Sequence, residues 1–231
     1  MSNKLQLNQR NMNVVTGLLD DWVCNHPWAG AGYVDGGHPR EEVLANRKHG
    51  NDGVNAIQQV RQEILEFIEV ILNVCGDGSA LEIGLGEAGG THYIWSLLFD
   101  QVYTIEVRQE VVNRYLDNQT LDSEQSTFLV APSFRRDVLL KAARSLKGGC
   151  DFLFIDGDHE RDGVEGDWRM YSHLVRKGGI VAFHDTICDH PGEREVSAFV
   201  KDLECGKITG EPIKFNHIHH SLYVGISYYI V

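Results

Sequence analysis

The chain has 231 residues, of which 21 are lysine or arginine and 33 are aspartate or glutamate, for a formal net charge of -12. This length suits one α/β domain, and the acidic balance argues against a nucleic-acid partner, which needs a basic face. No apolar run approaches the roughly 18 residues that span a bilayer, and the opening stretch MSNKLQLNQRNMN lacks the apolar segment of a secretory signal. We therefore expect no membrane partner and a cytoplasmic location.

Residues 1–53 are predicted to form an extension in front of a domain that comprises residues 54–231. A short helix is expected over residues 13–23, followed by the glycine-rich segment AGAGYVDGGHPR. An aromatic, glycine-rich segment of this kind is typical of a lid or an oligomer arm, and a plain surface extension is the alternative. An arm would favour a homo-oligomer.

From residue 54 onward, the pattern predicts alternating helices and strands. Apolar residues at helical spacing predict a helix over residues 54–74. Five strands are expected at 79–83, 101–106, 127–130, 151–155 and 179–183, and further helices at 91–99, 109–116, 133–146, 162–175 and 193–203. The closing strands, 213–219 and 222–230, are joined by so short a turn that they must be antiparallel. The fold class is therefore α/β, with a Rossmann-like doubly wound sheet of about seven strands that is mostly parallel and ends in an antiparallel hairpin.

A glycine loop follows the first of these strands. Gly84, Gly86 and Gly89 let the backbone turn sharply and approach a ligand, and Glu106 at the end of the second strand can accept ribose hydroxyls. The three glycines also satisfy GxGxxG, so a dinucleotide such as NAD is an alternative ligand. Glu82 argues against it, because a carboxylate gains nothing beside a pyrophosphate. A cationic sulfonium ligand with an amino-acid tail would tolerate that carboxylate.

The run E-I-G-x-G, the acid Glu106 and the closing hairpin resemble the class I S-adenosylmethionine-dependent methyltransferases. The resemblance covers residues 54–231. It implies that the loop from Gly84 to Gly86, together with Glu82, lies along the methionine part of the cofactor and that Glu106 holds the ribose. Ser133 follows the third strand, where many members carry an acid next to the adenine, and it is carried over as a further cofactor contact.

A second group of polar residues follows the fourth and fifth strands. Asp156 and His159 come after the strand DFLFI, and His184 and Asp185 come after the strand IVAF. Since adjacent parallel strands end at the same ligand-binding edge, we expect Asp156 and Asp185 to lie close together. Two neighbouring carboxylates repel each other unless a cation or a proton intervenes. A divalent ion held by Asp156, Asp185 and His184 would balance them.

The segments FIDGDHERDGVEGDW and LVRKGGIVAFHDT resemble small-molecule O-methyltransferases, whose fourth strand ends in D-x-x-H and whose fifth ends in paired acidic or His-Asp residues. The branch includes enzymes that modify sugars and other natural products, and several use magnesium. The resemblance implies that Asp156, His184 and Asp185 bind the metal, that Asp156 also borders the cofactor, and that His159 is the general base, with Asp158 as the other candidate. His184 departs from the paired-carboxylate pattern, and nitrogen is a poorer Mg²⁺ ligand than oxygen.

The sequence thus predicts an S-adenosylmethionine-dependent methyltransferase that acts on a hydroxyl of a small molecule, a sugar or natural product, with help from a divalent cation, most simply Mg²⁺. Such an enzyme must position the acceptor and remove its proton. One alternative is an N-methyltransferase on an amine, which needs no metal. The others are an NAD-dependent oxidoreductase and a non-catalytic binding protein, for which His159 and Asp156 would be an ordinary loop residue and a helix cap.

Two further patterns are predicted to be structural. The segment HIHH places His217 and His219 on one strand face with His220 nearby, which indicates a hydrogen-bonded edge cluster rather than a metal site. The five cysteines lie far apart and form no CxxC pair, which argues against a disulfide framework or zinc ribbon and indicates mostly buried thiols.

Overall fold

A mixed β-sheet lies at the centre of the fold. The computed structural model describes residues 11–25, 59–117, 125–187, 194–220 and 224–231. Within these residues the strands are β1 (Ser79–Ile83), β2 (Gln101–Glu106), β3 (Ser126–Val130), β4 (Cys150–Ile155), β5 (Val175–Phe183), β6 (Asn216–Ile218) and β7 (Ile226–Ile230). They form a seven-stranded sheet in the order β3-β2-β1-β4-β5-β7-β6. The first five strands are parallel, while β7 is antiparallel to both β5 and β6. The predicted Rossmann-like fold is confirmed.

Helices cover both faces of the sheet. They are α1 (Met12–Asn25), α2 (Arg61–Val74), α3 (Gly90–Leu98), α4 (Gln109–Asp117), α5 (Arg136–Ser145), α6 (Arg161–Tyr171) and α7 (Arg194–Glu204). Strand β4 shows how the two faces are built, because its side chains alternate. Phe152 and Phe154 pack in one core cluster with residues of α1, α2 and α3, while Leu153 and Ile155 pack in another with residues of α5, α6 and α7. No helix in the described part of the chain is both long and apolar enough to cross a membrane.

The predicted element bounds differ from the structure most clearly at four places. The helix expected over residues 54–74 begins at Arg61, because Val60 before it is extended. The helix expected to reach residue 175 ends at Tyr171 and continues as a 3-10 turn over Ser172–Leu174, and Val175 already begins β5. The helix expected from residue 133 begins at Arg136, because a turn precedes it in which the Arg135 amide donates to the carbonyl of Pro132. The final antiparallel strands pair over shorter segments than expected.

Helix α1 belongs to the predicted extension yet packs into the domain core. Val15 and Leu19 are fully buried in the cluster formed with α2 and α3, and the ring of Trp22 stacks on Tyr93 with centroids 4.7 Å apart. The helix predicted over residues 13–23 is therefore confirmed. The glycine-rich segment lies outside the described residues, so its role as a lid or oligomer arm stays a prediction.

Cys75, Cys150 and Cys205 are free thiols in three different environments. Cys150 is buried, Cys75 is half-buried and Cys205 is exposed. Burial raises the pKa of the Cys75 and Cys150 thiols to about 12. Cys150 is buried as predicted for most of the cysteines, Cys75 is partly so, and Cys205 is an exposed exception.

Candidate active site

The glycine loop after β1 requires glycine at the positions that the sequence singled out. Gly84, Gly86 and Gly89 have φ angles of 91°, 65° and 70°, in the left-handed region that side chains disfavour. A Cβ at Gly84 would overlap with the backbone carbonyl of Asp156, and one at Gly89 would overlap with the ring of Tyr115. The loop after β1 is thus pressed against the end of β4, and the two predicted groups of site residues are neighbours.

Glu106 is anchored to this loop. Its side chain is 4% exposed, and its Oε2 accepts a hydrogen bond from the amide of Leu85 at 3.0 Å. Oε1 accepts from the backbone amide of Arg108 at 2.9 Å and from its Nε at 3.1 Å. The guanidinium of Arg108 also pairs with Glu87, inside the glycine loop. The predicted ribose acid therefore lies beside the loop, and Arg108 is a site residue that sequence reasoning missed.

Glu82 is buried inside the protein rather than displayed at the loop surface. Its residue exposure is 0%. Oε1 accepts from the hydroxyl of Thr91 at 2.6 Å and from the indole Nε1 of Trp95 at 3.0 Å, and Oε2 accepts from the hydroxyl of Thr104 at 2.7 Å. His92 lies at 3.4 Å and bonds to Thr104 as well. Glu82 fixes the start of α3 under the loop, and a direct contact with a cofactor stays a prediction.

The ends of β2 and β3 lie side by side and expose apolar side chains. The amide of Ala131 donates to the carbonyl of Glu106 at 3.0 Å, which joins the two strand ends. Val107 and Phe134 are 60% and 74% exposed, unusual values for large apolar residues. Ser133 is half-buried beside Phe134, and its carbonyl accepts from the hydroxyl of Tyr171 at 2.6 Å. Sequence analysis missed Val107 and Phe134, whose only signal is that each follows a strand end.

Asp167, on α6, is a buried acid beneath the same edge. It is 2% exposed, and its Oδ2 has no hydrogen-bond partner among the described residues. Burial raises the pKa of Asp167 to about 6, against the lowering effect of a hydrogen bond with Ser133. Its neighbour Trp168 packs against the core and donates its indole N–H to the hydroxyl of Tyr229 at 3.0 Å. Trp168 therefore has the core role that its sequence context favours.

Four side chains converge at the ends of β4 and β5. Ile155 and Phe183 are partners in the parallel register, so the residues that follow them meet at one edge. His184 Nδ1 lies 3.3 Å from Asp156 Oδ1 and 3.2 Å from Asp185 Oδ2. His159 Nε2 lies 3.3 Å from Asp185 Oδ2 and 3.6 Å from Asp156 Oδ1. The expected meeting of Asp156 and Asp185 is confirmed. We call these four residues the edge cluster.

The edge cluster has the donor set of a divalent metal site. One ligand atom each from Asp156, His184 and Asp185 lies within 4.8 Å of the others. Their side chains are only 17%, 3% and 10% exposed, so the charges are held largely out of water. The second ring nitrogen of His184, Nε2, is buried without a hydrogen-bond partner in the part of the chain that the structure describes. Two carboxylates and an imidazole suit Mn²⁺ at least as well as Mg²⁺.

The two carboxylates shift the pKa values of the imidazoles beside them. A hydrogen bond to Asp156 raises the pKa of His159 to about 9; burial opposes this shift and the charge of Asp185 adds to it. Burial disfavours charge on His184, but Asp185 and Asp156 outweigh it and raise the pKa of His184 well above its ordinary value. Burial likewise opposes ionisation of Asp156, yet the two rings hold its pKa well below the usual range. The cluster therefore attracts positive charge strongly.

Asp185 and Asp158 occupy different settings. Asp185 has a φ of 56°, a left-handed conformation that is uncommon for a residue with a side chain and that clusters at functional sites. Asp158 is exposed, and its Oδ1 accepts from the amide of Glu160 at 3.0 Å, at the start of α6. That bond gives Asp158 a capping function. The roles of Asp158 and His159 as candidate bases stay predictions.

Residues 81–186 match a family model described as a methyltransferase domain. Over these residues the chain is similar to methyltransferase domains. The match spans the glycine loop, Glu106 and the whole edge cluster. Among curated proteins, an uncharacterized protein of Acanthamoeba polyphaga mimivirus is 37% identical over 78 residues, which cover 32% of this chain and 34% of that protein. The chain thus matches about a third of that relative.

Solved methyltransferase structures resemble the whole fold at low sequence identity. The O-methyltransferase TomG from Streptomyces achromogenes, involved in tomaymycin synthesis and solved with S-adenosylmethionine, has a TM-score of 0.59 at 17% identity, over 86% of this chain and 92% of TomG. An O-methyltransferase from Bacillus cereus with S-adenosylhomocysteine has the same score and identity, over 96% of this chain and 100% of its own. MycE of the mycinamycin pathway, solved with Mg and S-adenosylhomocysteine, has a TM-score of 0.52 at 18% identity, over 70% of this chain and 48% of MycE.

Proposed function

We propose that this chain transfers the methyl group of S-adenosylmethionine to a hydroxyl oxygen of a small molecule, with a divalent cation bound at the edge cluster. The observation that carries the proposal is the position of Asp156. Its side chain belongs to the edge cluster, while its backbone carbonyl touches Gly84 of the cofactor loop. A cofactor in the loop and an acceptor at the cluster would therefore be neighbours. TomG is involved in tomaymycin synthesis and MycE belongs to the mycinamycin pathway, which supports a natural-product acceptor; a sugar is the acceptor that the sequence resemblance adds.

The residues after β1, β2 and β3 fit the cofactor. Gly84 and Gly86 leave the backbone open to close approach. Glu106 is held at the loop by the Leu85 amide, where its oxygens can accept the ribose hydroxyls. The exposed side chains of Val107 and Phe134 offer apolar surface to the adenine. When bound, S-adenosylmethionine supplies a methyl carbon on a positively charged sulfur.

The edge cluster fits a divalent cation that would bind the acceptor oxygen. Asp156 and Asp185 supply negative charge in a largely buried setting, and the Nδ1 of His184 faces both of them. When bound, the cation lowers the pKa of a hydroxyl and makes it a better nucleophile. A bound cation would also balance the charge of the two carboxylates, which raise the pKa values of His159 and His184.

His159 is the residue we assign as general base. A base must be neutral before it accepts a proton. With no cation beside Asp156 and Asp185, the pKa of His159 is about 9, which favours the protonated ring near neutral pH. Positive charge at Asp156 and Asp185 would offset the effect of the two carboxylates and return the pKa of His159 toward its ordinary value. The base function of His159 thus depends on the occupancy of the cluster. At 32% side-chain exposure, the ring can also pass its proton on to water.

The first test is a calorimetric titration with S-adenosylhomocysteine, with NAD as the comparison ligand. We expect micromolar binding of S-adenosylhomocysteine and none of NAD. Replacing Glu106 with Ala removes charge-assisted bonds to the ribose and should weaken binding by about 10- to 100-fold. Glu110→Ala, on the following helix α4, is the matched control and should bind like the native chain. A preference for NAD, or equal binding by both variants, would refute the cofactor assignment.

The second test addresses the acceptor atom and the cation. Methyl transfer from S-adenosylmethionine to a panel of hydroxylated sugars and aromatic natural products is measured with Mg²⁺, with Mn²⁺ and with EDTA. We expect transfer to hydroxyls that EDTA abolishes and either cation restores. Transfer to amines that EDTA leaves unchanged would instead identify an N-methyltransferase.

A further inference from the structure

The backbone at Asp185 is held in a conformation that it would not adopt by itself. Its φ of 56° places it in the left-handed region, which persists only where neighbouring contacts enforce it. On one side, the amide of His184 donates to the carbonyl of Ile155 in β4 at 3.2 Å. On the other side, the amide of Thr186 donates to Gly225 at 3.3 Å and that of Ile187 to Val224 at 3.0 Å. Asp185 is therefore clamped between β4 and the segment that leads into β7.

The side chain of Thr186 adds a second attachment on the β7 side. Thr186 is 6% exposed, and its Oγ1 accepts a hydrogen bond from the hydroxyl of Ser227 at 2.8 Å. The Nε2 of His219, which follows β6, lies 3.1 Å from the same oxygen. Ser227 is fully buried. The residue next to Asp185 is thus fixed by its side chain as well as by its backbone.

These contacts continue to the protein surface through His217. Its Nδ1 lies 2.7 Å from the Oγ of Ser227, and its Nε2 lies 2.9 Å from Oε1 of Glu204 on α7. The histidines of the segment HIHH are therefore hydrogen-bonded at the edge of the sheet, as the sequence indicates. The strand β6 runs parallel to β5, so His219 follows β6 at the same edge of the sheet as Asp185 follows β5. We call Thr186, Ser227, His217, His219 and Glu204 the hydroxyl–imidazole chain.

Within the hydroxyl–imidazole chain, each hydrogen-bond donor faces an acceptor. The single hydroxyl hydrogen of Ser227 points to Thr186, so the bond between Ser227 and His217 uses an N–H of the imidazole. The hydroxyl hydrogen of Thr186 is then available to the Nε2 of His219, which accepts it as a neutral ring. A neutral ring agrees with the lowered pKa of His219, which comes first from burial and then from the charge of His217. The Thr186 hydroxyl is thus held between Ser227 and His219.

We propose that Thr186 is a positioning residue for Asp185, and that its hydroxyl, held by Ser227 and His219, keeps the Asp185 carboxylate aimed at Asp156 and His184. The inference rests on the proposed function, since it concerns the affinity of the edge cluster for a cation. It assigns a role to the histidines of β6, which the proposed reaction does not use. Removing the Thr186 hydroxyl takes away the side-chain attachment and leaves the backbone hydrogen bonds alone to hold Asp185. The Asp185 carboxylate is then less firmly positioned, which weakens the site.

The test is the affinity of the full chain for Mn²⁺, measured by electron paramagnetic resonance, together with its affinity for S-adenosylhomocysteine. Thr186→Val keeps the shape of the side chain and removes the hydroxyl, while Thr186→Ser keeps the hydroxyl. Contacts behind metal ligands contribute about 10- to 100-fold in affinity. We therefore expect Thr186→Val to bind Mn²⁺ about 10-fold more weakly with unchanged S-adenosylhomocysteine affinity. Thr186→Ser should restore native Mn²⁺ affinity.

Ser227→Ala provides a second variant, which removes the donor to Thr186 and leaves the edge cluster intact. It should reproduce the selective loss of Mn²⁺ affinity. Native Mn²⁺ affinity in both Thr186→Val and Ser227→Ala would overturn the inference, and so would a parallel loss of S-adenosylhomocysteine binding, which would indicate a general structural role. A native chain that binds S-adenosylhomocysteine but not Mn²⁺ would instead refute the cation in the proposed function, and this outcome is read from the native chain alone.

Discussion

The two ends of the candidate site use carboxylates in opposite ways. At β1 and β2, hydroxyl, indole and amide donors bind Glu82 and Glu106, with Arg108 as a further partner of Glu106. His92 also lies 3.4 Å from Glu82, but both of its ring nitrogens bond to hydroxyls of Thr104 and Ser126. At β4 and β5, the ionic partners of Asp156 and Asp185 among the described residues are the imidazoles of His159 and His184. Imidazoles can give up their protons near neutral pH, whereas amides and indoles cannot. The carboxylates at β1 and β2 therefore have fixed partners and form a scaffold. At β4 and β5, a cation can replace the protons of the imidazoles.

The largest effect is expected from removing the scaffold carboxylate. Replacing Glu82 with Ala leaves the buried donors of Thr91, Trp95 and Thr104 without their acceptor. We expect the free energy of unfolding to fall by about 3–5 kcal/mol, measured by urea denaturation. Glu87→Ala, at a partly exposed acid in the loop that follows β1, is the control and should cost less than about 1 kcal/mol. Equal losses in the two variants would mean that the network around Glu82 adds little to stability.

A second variant tests the exchangeable end. Asp185→Asn removes one charge from the edge cluster, and Asn tolerates the left-handed backbone at this position. We expect methyl transfer to fall by about 100-fold, which corresponds to about 2.7 kcal/mol in the barrier. The affinity for S-adenosylhomocysteine should stay within about twofold, because Glu106 and the glycine loop are unchanged. If affinity fell together with rate, the two ends would not be separable.

The smallest effect concerns Asp167. This buried acid resembles neither end, because its Oδ2 has no hydrogen-bond partner among the residues that the structure describes. Its pKa is raised to about 6, so the folded chain favours the protonated acid. That stabilisation is present below pH 3.8 and is lost as the pH rises through 6. Between pH 4 and pH 7.5, native stability should therefore fall by about 2 kcal/mol relative to Asp167→Asn.

The measurement is urea denaturation of the native chain and the Asn variant across this pH range. Asp162→Asn, an exposed acid on the same helix, is the control and should follow the native profile. A constant difference between the native chain and Asp167→Asn would show that burial does not control the ionisation of Asp167.

Much of the edge cluster could be predicted from the sequence because it depends on strand order alone. The apolar runs of β4 and β5 end abruptly in charged residues, and parallel neighbours end at one edge, so Asp156 and Asp185 had to meet. The glycine loop was predictable for a similar reason, since backbone conformation restricts the choice of residue at Gly84 and Gly86. In both cases a local pattern determined the geometry.

The remaining features depend on packing between distant segments, which has no local signal. The donors to Glu82 come from α3 and β2, and their approach depends on how α3 lies over the sheet. The bond between Thr186 and His219 joins residues 33 positions apart. The sequence also does not reveal that α1, with Val15 and Leu19, belongs to the core. Long-range contacts of this kind had to come from the structure.

The contact between Gly84 and the carbonyl of Asp156 has a consequence for redesign of the acceptor range. Even a methyl group at residue 84 would push on the backbone of residue 156, so a library that varies the glycine loop also displaces the end of the site that holds the edge cluster. Diversification is better placed at exposed positions outside both groups, such as Glu160. The strand ends that carry the glycine loop and the edge cluster are therefore best kept unchanged when the acceptor range is redesigned.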